Sequence, residues 1–163
     1  MPPQGFKDEE LLTPRDILQG KGIFCEIASL KTGIIMGADG AEVQAEKLVS
    51  AVDVHDYIGV AFIGGPGTVP LVNNQESKAL ARKFFDADKI VGAICAAPGI
   101  LANGGILVGK KATSWQGMKE TLLKSGALWQ NEPVVTDGHI VTADGPDSSR
   151  QFGQALAGLC QQS

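Results

Sequence analysis

Three cysteines, at positions 25, 95 and 160, and two histidines, at 55 and 139, are the side chains of this 163-residue chain best suited to nucleophilic chemistry. Cys95 has the surroundings of a nucleophile. It ends the apolar run "KIVGAI" and is followed by Ala96-Ala97-Pro98-Gly99. A nucleophile on a sharp strand-to-helix turn is strained, and the residues two places before and after it crowd against it. Serine hydrolases use glycine at both places. Here they are Ala93 and Ala97, also small. Pro98 suits an early helical position, where its missing N–H costs nothing. Such a turn lifts the thiol out of a sheet and sets it at the positive end of a helix, favouring thiolate over thiol. A depressed pKa, between about 3.5 and 7.5, is the expectation for Cys95 and not for Cys25 or Cys160. The competing reading is a buried cysteine acting as a small hydrophobe.

The elements that would position Cys95 can be read from periodicity and punctuation. "LLTPRDILQGKG" has a helical pattern, with Pro14 in the first turn and Gly20 and Gly22 as stops. "IFCEIASL" should be a strand, and "KTGIIMGADGAEVQAE" a hairpin around Asp39-Gly40. "YIGVAFIGG" is continuously apolar, as expected of a parallel strand covered on both faces. "NNQESKALARKFFDAD" is an amphipathic helix, "KIVGAIC" a second buried strand, and "AAPGILANGG" a helix closed by glycines. A short helix "GMKETLLKSG", a hairpin "PVVTDGHIVTA" and a helix from about Ser148 to Cys160 complete the chain. Strands alternating with helices imply an α/β, doubly wound, mostly parallel sheet. Ligands of such sheets sit beyond the carboxyl ends of the strands, so the end at Gly64-Gly65 and the end at Cys95 should face one crevice.

Composition narrows the function. The chain is 44% hydrophobic and 20% charged, long enough for one domain spanning residues 1–163 with a core that needs no metal or disulfide. A formal net charge of −4 leaves no electrostatic footprint for nucleic acid or an anionic membrane. No apolar stretch reaches membrane-spanning length, and "MPPQGFKDEE" lacks the pattern of a signal peptide. Three widely spaced cysteines fit neither a disulfide framework nor a zinc knuckle and suit a reducing cytoplasm. No metal or cofactor is expected.

"AICAAPGILANGGILVGKKATSW", preceded by "FIGGPGT" and followed by "DGHIVTADGP", resembles the DJ-1/PfpI superfamily from Gly5 to Cys160. The resemblance implies a flavodoxin-like sandwich with Cys95 at the nucleophile elbow. It also implies a glutamate, in the loop after the first strand, that hydrogen-bonds the thiol. Glu10, four residues before Pro14, matches it; Glu9 should face solvent and Asp8 could cap the following helix. The alternative for Glu10 is a helix-start charge stabilised by the dipole. The backbone N–H groups of Gly65 and Ala96 would form an oxyanion pocket, with Gly64 beside them, where backbone must approach substrate closely. A homodimer is implied as well.

The chain departs from the family pattern in three places. Protease-type members carry histidine directly after the cysteine, where this chain has Ala96, so peptide hydrolysis is not expected. His55 and His139 fall elsewhere and read as surface residues. Glyoxalase members keep a histidine where this chain has Trp115, which can wall a pocket or stack but cannot shuttle protons. Asp144 stands before Gly145-Pro146, where an Arg or Ser is common, and could raise the pKa of Cys95. Finally, the family begins with a buried strand of roughly six residues, whereas "MPPQGF" already belongs to the loop after it. A start downstream of the true one, a rearranged N-terminal region, or completion by a partner chain would each account for that. Two functions compete for the one site. In the first, the Cys95 thiolate adds to a small reactive carbonyl in glyoxalase- or deglycase-like chemistry, with Glu10 moving the proton. In the second, Cys95 meets an oxidant and serves as a stress sensor with little turnover.

Overall fold

The computed structural model describes residues 1–162. In chain order the elements are β1 (Gln4–Phe6), α1 (Asp8–Gly20), β2 (Ala28–Ser29), β3 (Gly33–Gly37), β4 (Glu42–Ala45), β5 (Lys47–Leu48), β6 (Gly59–Phe62) and α2 (Gln75–Asp86). They continue with β7 (Ile90–Ile94), α3 (Pro98–Asn103), β8 (Lys111–Ala112), α4 (Lys119–Lys124), β9 (Leu128–Trp129), β10 (Val134–Asp137), β11 (Ile140–Ala143) and α5 (Ser149–Cys160).

The central sheet has the order β10-β11-β7-β6. Pairs β6–β7 and β7–β11 are parallel, and β10 closes one edge as the antiparallel half of the hairpin turning at Asp137-Gly138. Alternation along β7 divides the core in two. Val91 and Ala93 pack into one cluster with Leu80, Phe84 and Ile100; Ile90 and Ile94 pack into another with Leu11, Phe152 and Leu156. Helices α2 and α3 therefore cover one face, while α5, with α1 packed on it, covers the other. The α1–α5 approach is close: a Cβ added to Gly153 would lie 2.8 Å from the Cα of Pro14. This is the doubly wound, flavodoxin-like arrangement expected.

Three local expectations need correction. Helix α1 begins at Asp8, so Pro14 lies inside it rather than in its first turn. The segment "IFCEIASL" forms only the two-residue strand β2, paired with β5. A strand needs a ladder partner, and residues 24–26 have none among the described residues, although the Ile27 carbonyl accepts from the Glu46 and Lys47 N–H groups; β6, which should have stood one strand away, is also unpaired on that side. Residues 4–6, read as loop, form β1 and pair in parallel with β3 of the β3–β4 hairpin, in a separate three-stranded sheet. The family's first strand is thus missing from the central sheet. No helix of the described residues is long and apolar enough to cross a membrane.

Candidate active site

Cys95 follows the last residue of β7 in a left-handed backbone conformation, with φ +62°. Such an angle is costly for a side chain with a Cβ and persists only where its surroundings impose it. Two hydrogen bonds do so: the Cys95 N–H donates to the Ala143 carbonyl at 2.9 Å, and the Cys95 carbonyl accepts from the Trp115 N–H at 2.9 Å. Ala93, Ala96 and Ala97 are buried around it, which explains the small residues on either side of the thiol. Pro98 opens α3 as expected.

The loop after β6 meets this elbow. Gly65 has φ +114°, and its N–H, together with that of Ala96, hydrogen-bonds the Cys95 sulfur. A Cβ on Gly64 would lie 2.7 Å from both the Cys95 Cβ and the Glu10 Oε2, so no larger residue fits between nucleophile and carboxyl. Glu10 is completely buried in the first turn of α1. Its Oε2 accepts from the Gly64 N–H at 3.0 Å, and its carboxyl interacts with the Cys95 thiol. Oε1 accepts from no N–H or O–H group of the described residues. Glu10, Gly64, Gly65, Cys95 and Ala96 are therefore brought together at the carboxyl ends of β6 and β7.

Electrostatics correct the expected depressed thiol. Burial, and next the Glu10 carboxylate, push Cys95 up to about 12, against the two backbone donors that pull it down. Helix α3, at six residues, is too short for its dipole to offset that burial. Burial also raises Glu10 to about 7. Between these values the pair holds a single proton, and the titration belongs to the pair rather than to either residue. Asp144 is not a cause: its carboxylate is occupied by the Ser148 hydroxyl. Burial raises Cys25 and Cys160 too, so neither is an activated thiol.

Other side chains are distributed as follows. Trp115 stands beside the elbow through its backbone, but its ring folds over Gly117 and is 45% exposed. His139 pairs with Asp88 at 3.1 Å, and His55 is also exposed; both precede their strands, at the end of the sheet away from Cys95. Glu9 is exposed, as read. Asp8 caps no helix; its carboxylate accepts from the Ala41 N–H at 2.7 Å and the Asp39 N–H at 3.3 Å, tying α1 to the β3–β4 turn. Sequence reasoning missed Thr68. Its buried hydroxyl donates to the Ile63 carbonyl at 2.9 Å and its N–H to the Gly65 carbonyl at 3.0 Å, holding the donor loop. The available signal was a threonine three residues after Gly65, within "GGPGT".

Comparison with known proteins agrees with this geometry. The chain matches the DJ-1/PfpI family over residues 2–158. An uncharacterized protein of Methanocaldococcus jannaschii is 37% identical over 93% of this chain and 75% of its own length. A deglycase of Pyrococcus horikoshii is 33% identical over 86% of this chain and 85% of its own. Among solved structures, a ThiJ/PfpI domain protein from Brachyspira murdochii superposes with a TM-score of 0.98 at 32% identity, covering 100% of this chain and 94% of that one. Drosophila melanogaster DJ-1beta gives 0.86 at 26%, covering 96% and 85%. With nearly its whole length matched, the chain belongs to the DJ-1/PfpI family.

Proposed function

We propose that Cys95 adds to the aldehyde carbon of small α-oxoaldehydes and related reactive carbonyls, in glyoxalase- or deglycase-like chemistry. The observation that carries this reading is a thiol with two backbone N–H donors at its sulfur and a buried carboxyl beside it. Relatives named deglycase, and a Caenorhabditis elegans relative named glutathione-independent glyoxalase, support it. As the C–S bond forms, the thiol proton passes to Glu10, which near neutral pH has just become able to accept it. The carbonyl π electrons move to oxygen, and the Gly65 and Ala96 N–H groups stabilise the resulting alkoxide. Glu10 then returns the proton to that oxygen, giving a neutral hemithioacetal. Oxidation of Cys95 by peroxide, the sensor reading, gains less support, because peroxide needs a free thiolate and the raised pKa keeps the pair's last proton in place. The setting we propose is a homodimer in a reducing cytoplasm.

The test is consumption of methylglyoxal by wild type, Cys95→Ser and Glu10→Gln. Cys95→Ser should abolish turnover, and Glu10→Gln should lower it by about 10²–10⁴. Equal turnover in wild type and Cys95→Ser would sink the proposal.

A further inference from the structure

Thr68 hydrogen-bonds neither Cys95 nor Glu10, but it closes the loop of residues 63–68 that serves them both. Three consecutive peptide units of that loop have fixed partners. In the Ile63–Gly64 unit the carbonyl accepts from the Thr68 hydroxyl at 2.9 Å, and the N–H donates to Glu10 Oε2 at 3.0 Å. In the Gly64–Gly65 unit the carbonyl accepts from the Lys7 N–H at 3.0 Å, and the N–H donates to the Cys95 sulfur. The third unit ends in Pro66, which has no N–H, and its Gly65 carbonyl accepts from the Thr68 N–H at 3.0 Å. Thr68 thus grips the first and third units, and the donor aimed at the sulfur lies between them.

That grip matters for two physical reasons. Gly64 and Gly65 have no side chains to resist rotation of the peptide between them, and Gly65 stands at φ +114°. The direction of its N–H is therefore set by the bonds on either side. The first unit is also a relay, with the Thr68 O–H donating at one end and the Gly64 N–H donating to Glu10 at the other. Hydrogen bonds in series polarise one another, by about 10–30% per bond where the dielectric is low. Thr68 and Glu10 are both buried, so that condition holds. The Gly64 N–H favours the charged carboxylate, and Thr68 strengthens it in that role. The other groups acting on Glu10 are Cys95 at the elbow and Lys7 and Glu9 at the start of α1. Lys7 is itself held by Asp39 at 2.8 Å, and Thr68 makes no hydrogen bond to any of the four.

We propose that Thr68 is a positioning residue for the chemistry at Cys95. Through the Ile63–Gly64 peptide its hydroxyl strengthens the Gly64 N–H bond to Glu10, and by closing the turn it keeps the Gly65 N–H aimed at the sulfur. Its part in turnover rests on the carbonyl-addition reading; its effect on the thiol does not.

The test compares wild type, Thr68→Val and Thr68→Ser from about pH 5 to pH 9 by two readouts. One is kcat/KM for methylglyoxal. The other is alkylation of Cys95 by iodoacetamide, resolved by peptide mass spectrometry from that of Cys25 and Cys160. Both profiles should rise through about 7 in wild type, as the Glu10–Cys95 pair loses its first proton. Valine keeps the shape of threonine and removes the hydroxyl, so Thr68→Val should move both midpoints up by about half a pH unit. It should also lower the plateau of kcat/KM at least tenfold, as expected when a donor is misplaced. Thr68→Ser should match wild type. A Thr68→Val protein that is less stable in urea but keeps both midpoints would overturn the proposal, leaving Thr68 as a structural staple. So would a Thr68→Ser protein shifted as far as Thr68→Val, because the methyl group would then be responsible. If Thr68→Val does not fold, Thr68→Cys supplies a weaker donor in the same space and should give a smaller shift in the same direction; wild-type midpoints there would overturn the proposal as well. Absence of turnover in wild type would sink the carbonyl-addition reading alone, and the alkylation midpoint would still decide for or against Thr68.

Discussion

Replacing Glu10 by glutamine should make the protein more stable and less active, and the stabilisation should depend on pH in a defined way. Glu10 is buried and held at about 7, against 4.5 for the free side chain. Between those values the folded protein binds more protons at this site than the unfolded chain. Stability is therefore fully present below pH 4.5 and declines as pH rises through about 7, after which the loss is complete. At 1.36 kcal/mol per pH unit, the loss is about 3 kcal/mol. Glutamine keeps an acceptor for the Gly64 N–H and carries no charge, so the variant should escape it. The assay is thermal and urea unfolding of both proteins at pH 4.5 and pH 8. The variant-minus-wild-type difference should grow by about 3 kcal/mol between the two, roughly 6–12 °C in melting temperature for a chain of this size. Taking the difference cancels the other titrating groups, including the buried Met1 ammonium. Melting curves that shift in parallel at both pH values would refute the reasoning, because Glu10 could then not be the carboxyl that holds a proton to neutral pH.

Further expectations concern the same cluster. Turnover of methylglyoxal should rise with pH through about 7, as the Glu10–Cys95 pair loses its first proton, and a pH profile of kcat/KM checks this. Trp115→His puts a titratable ring, in place of one that folds over Gly117, on the residue whose N–H binds the Cys95 carbonyl, and should raise turnover by up to about 10²-fold; a steady-state comparison with wild type decides it. Gly64→Ala forces a Cβ to within 2.6 Å of the Ile94 carbonyl oxygen and 2.7 Å of Cys95 and Glu10. It should cost about 1–3 kcal/mol in urea unfolding and separate carboxyl from thiol, with loss of most turnover.

Much of the site was legible because it rests on local rules. Small residues flanking Cys95, Pro98 at a helix start and glycines closing "VAFIGG" each announce a backbone constraint, and the structure brings them to one place. Glu10 was legible only through family resemblance: nothing in "KDEE" by itself distinguishes the buried carboxylate from its neighbours. The direction of the thiol pKa was misjudged for a physical reason. A helix start and backbone donors can be read from sequence, whereas desolvation and a charge brought in from α1 are properties of the assembled pocket, and here they outweigh the donors.

The strand misassigned at "IFCEIASL" shows the same limit at the level of the sheet. Its composition is that of a strand, and so is that of "YIGVAFIGG", but strand propensity is realised only through pairing. Val60 and Phe62 find β7 and form a ladder; the backbones of Phe24 and Glu26 find no ladder partner among the described residues and stay irregular although the side chains are suitable. The exposed Phe24 and Ala61 follow from this, since no strand stands between them among the described residues. The active site escapes the consequence because its anchors lie elsewhere. Lys7 N–H binds the Gly64 carbonyl at 3.0 Å, Gly67 N–H binds the Gly5 carbonyl at 2.9 Å, and Cys95 N–H binds Ala143. Those contacts tie the start of α1 and the β6 loop to β7 and β11 without involving residues 22–28. The nucleophile is therefore anchored independently of residues 22–28.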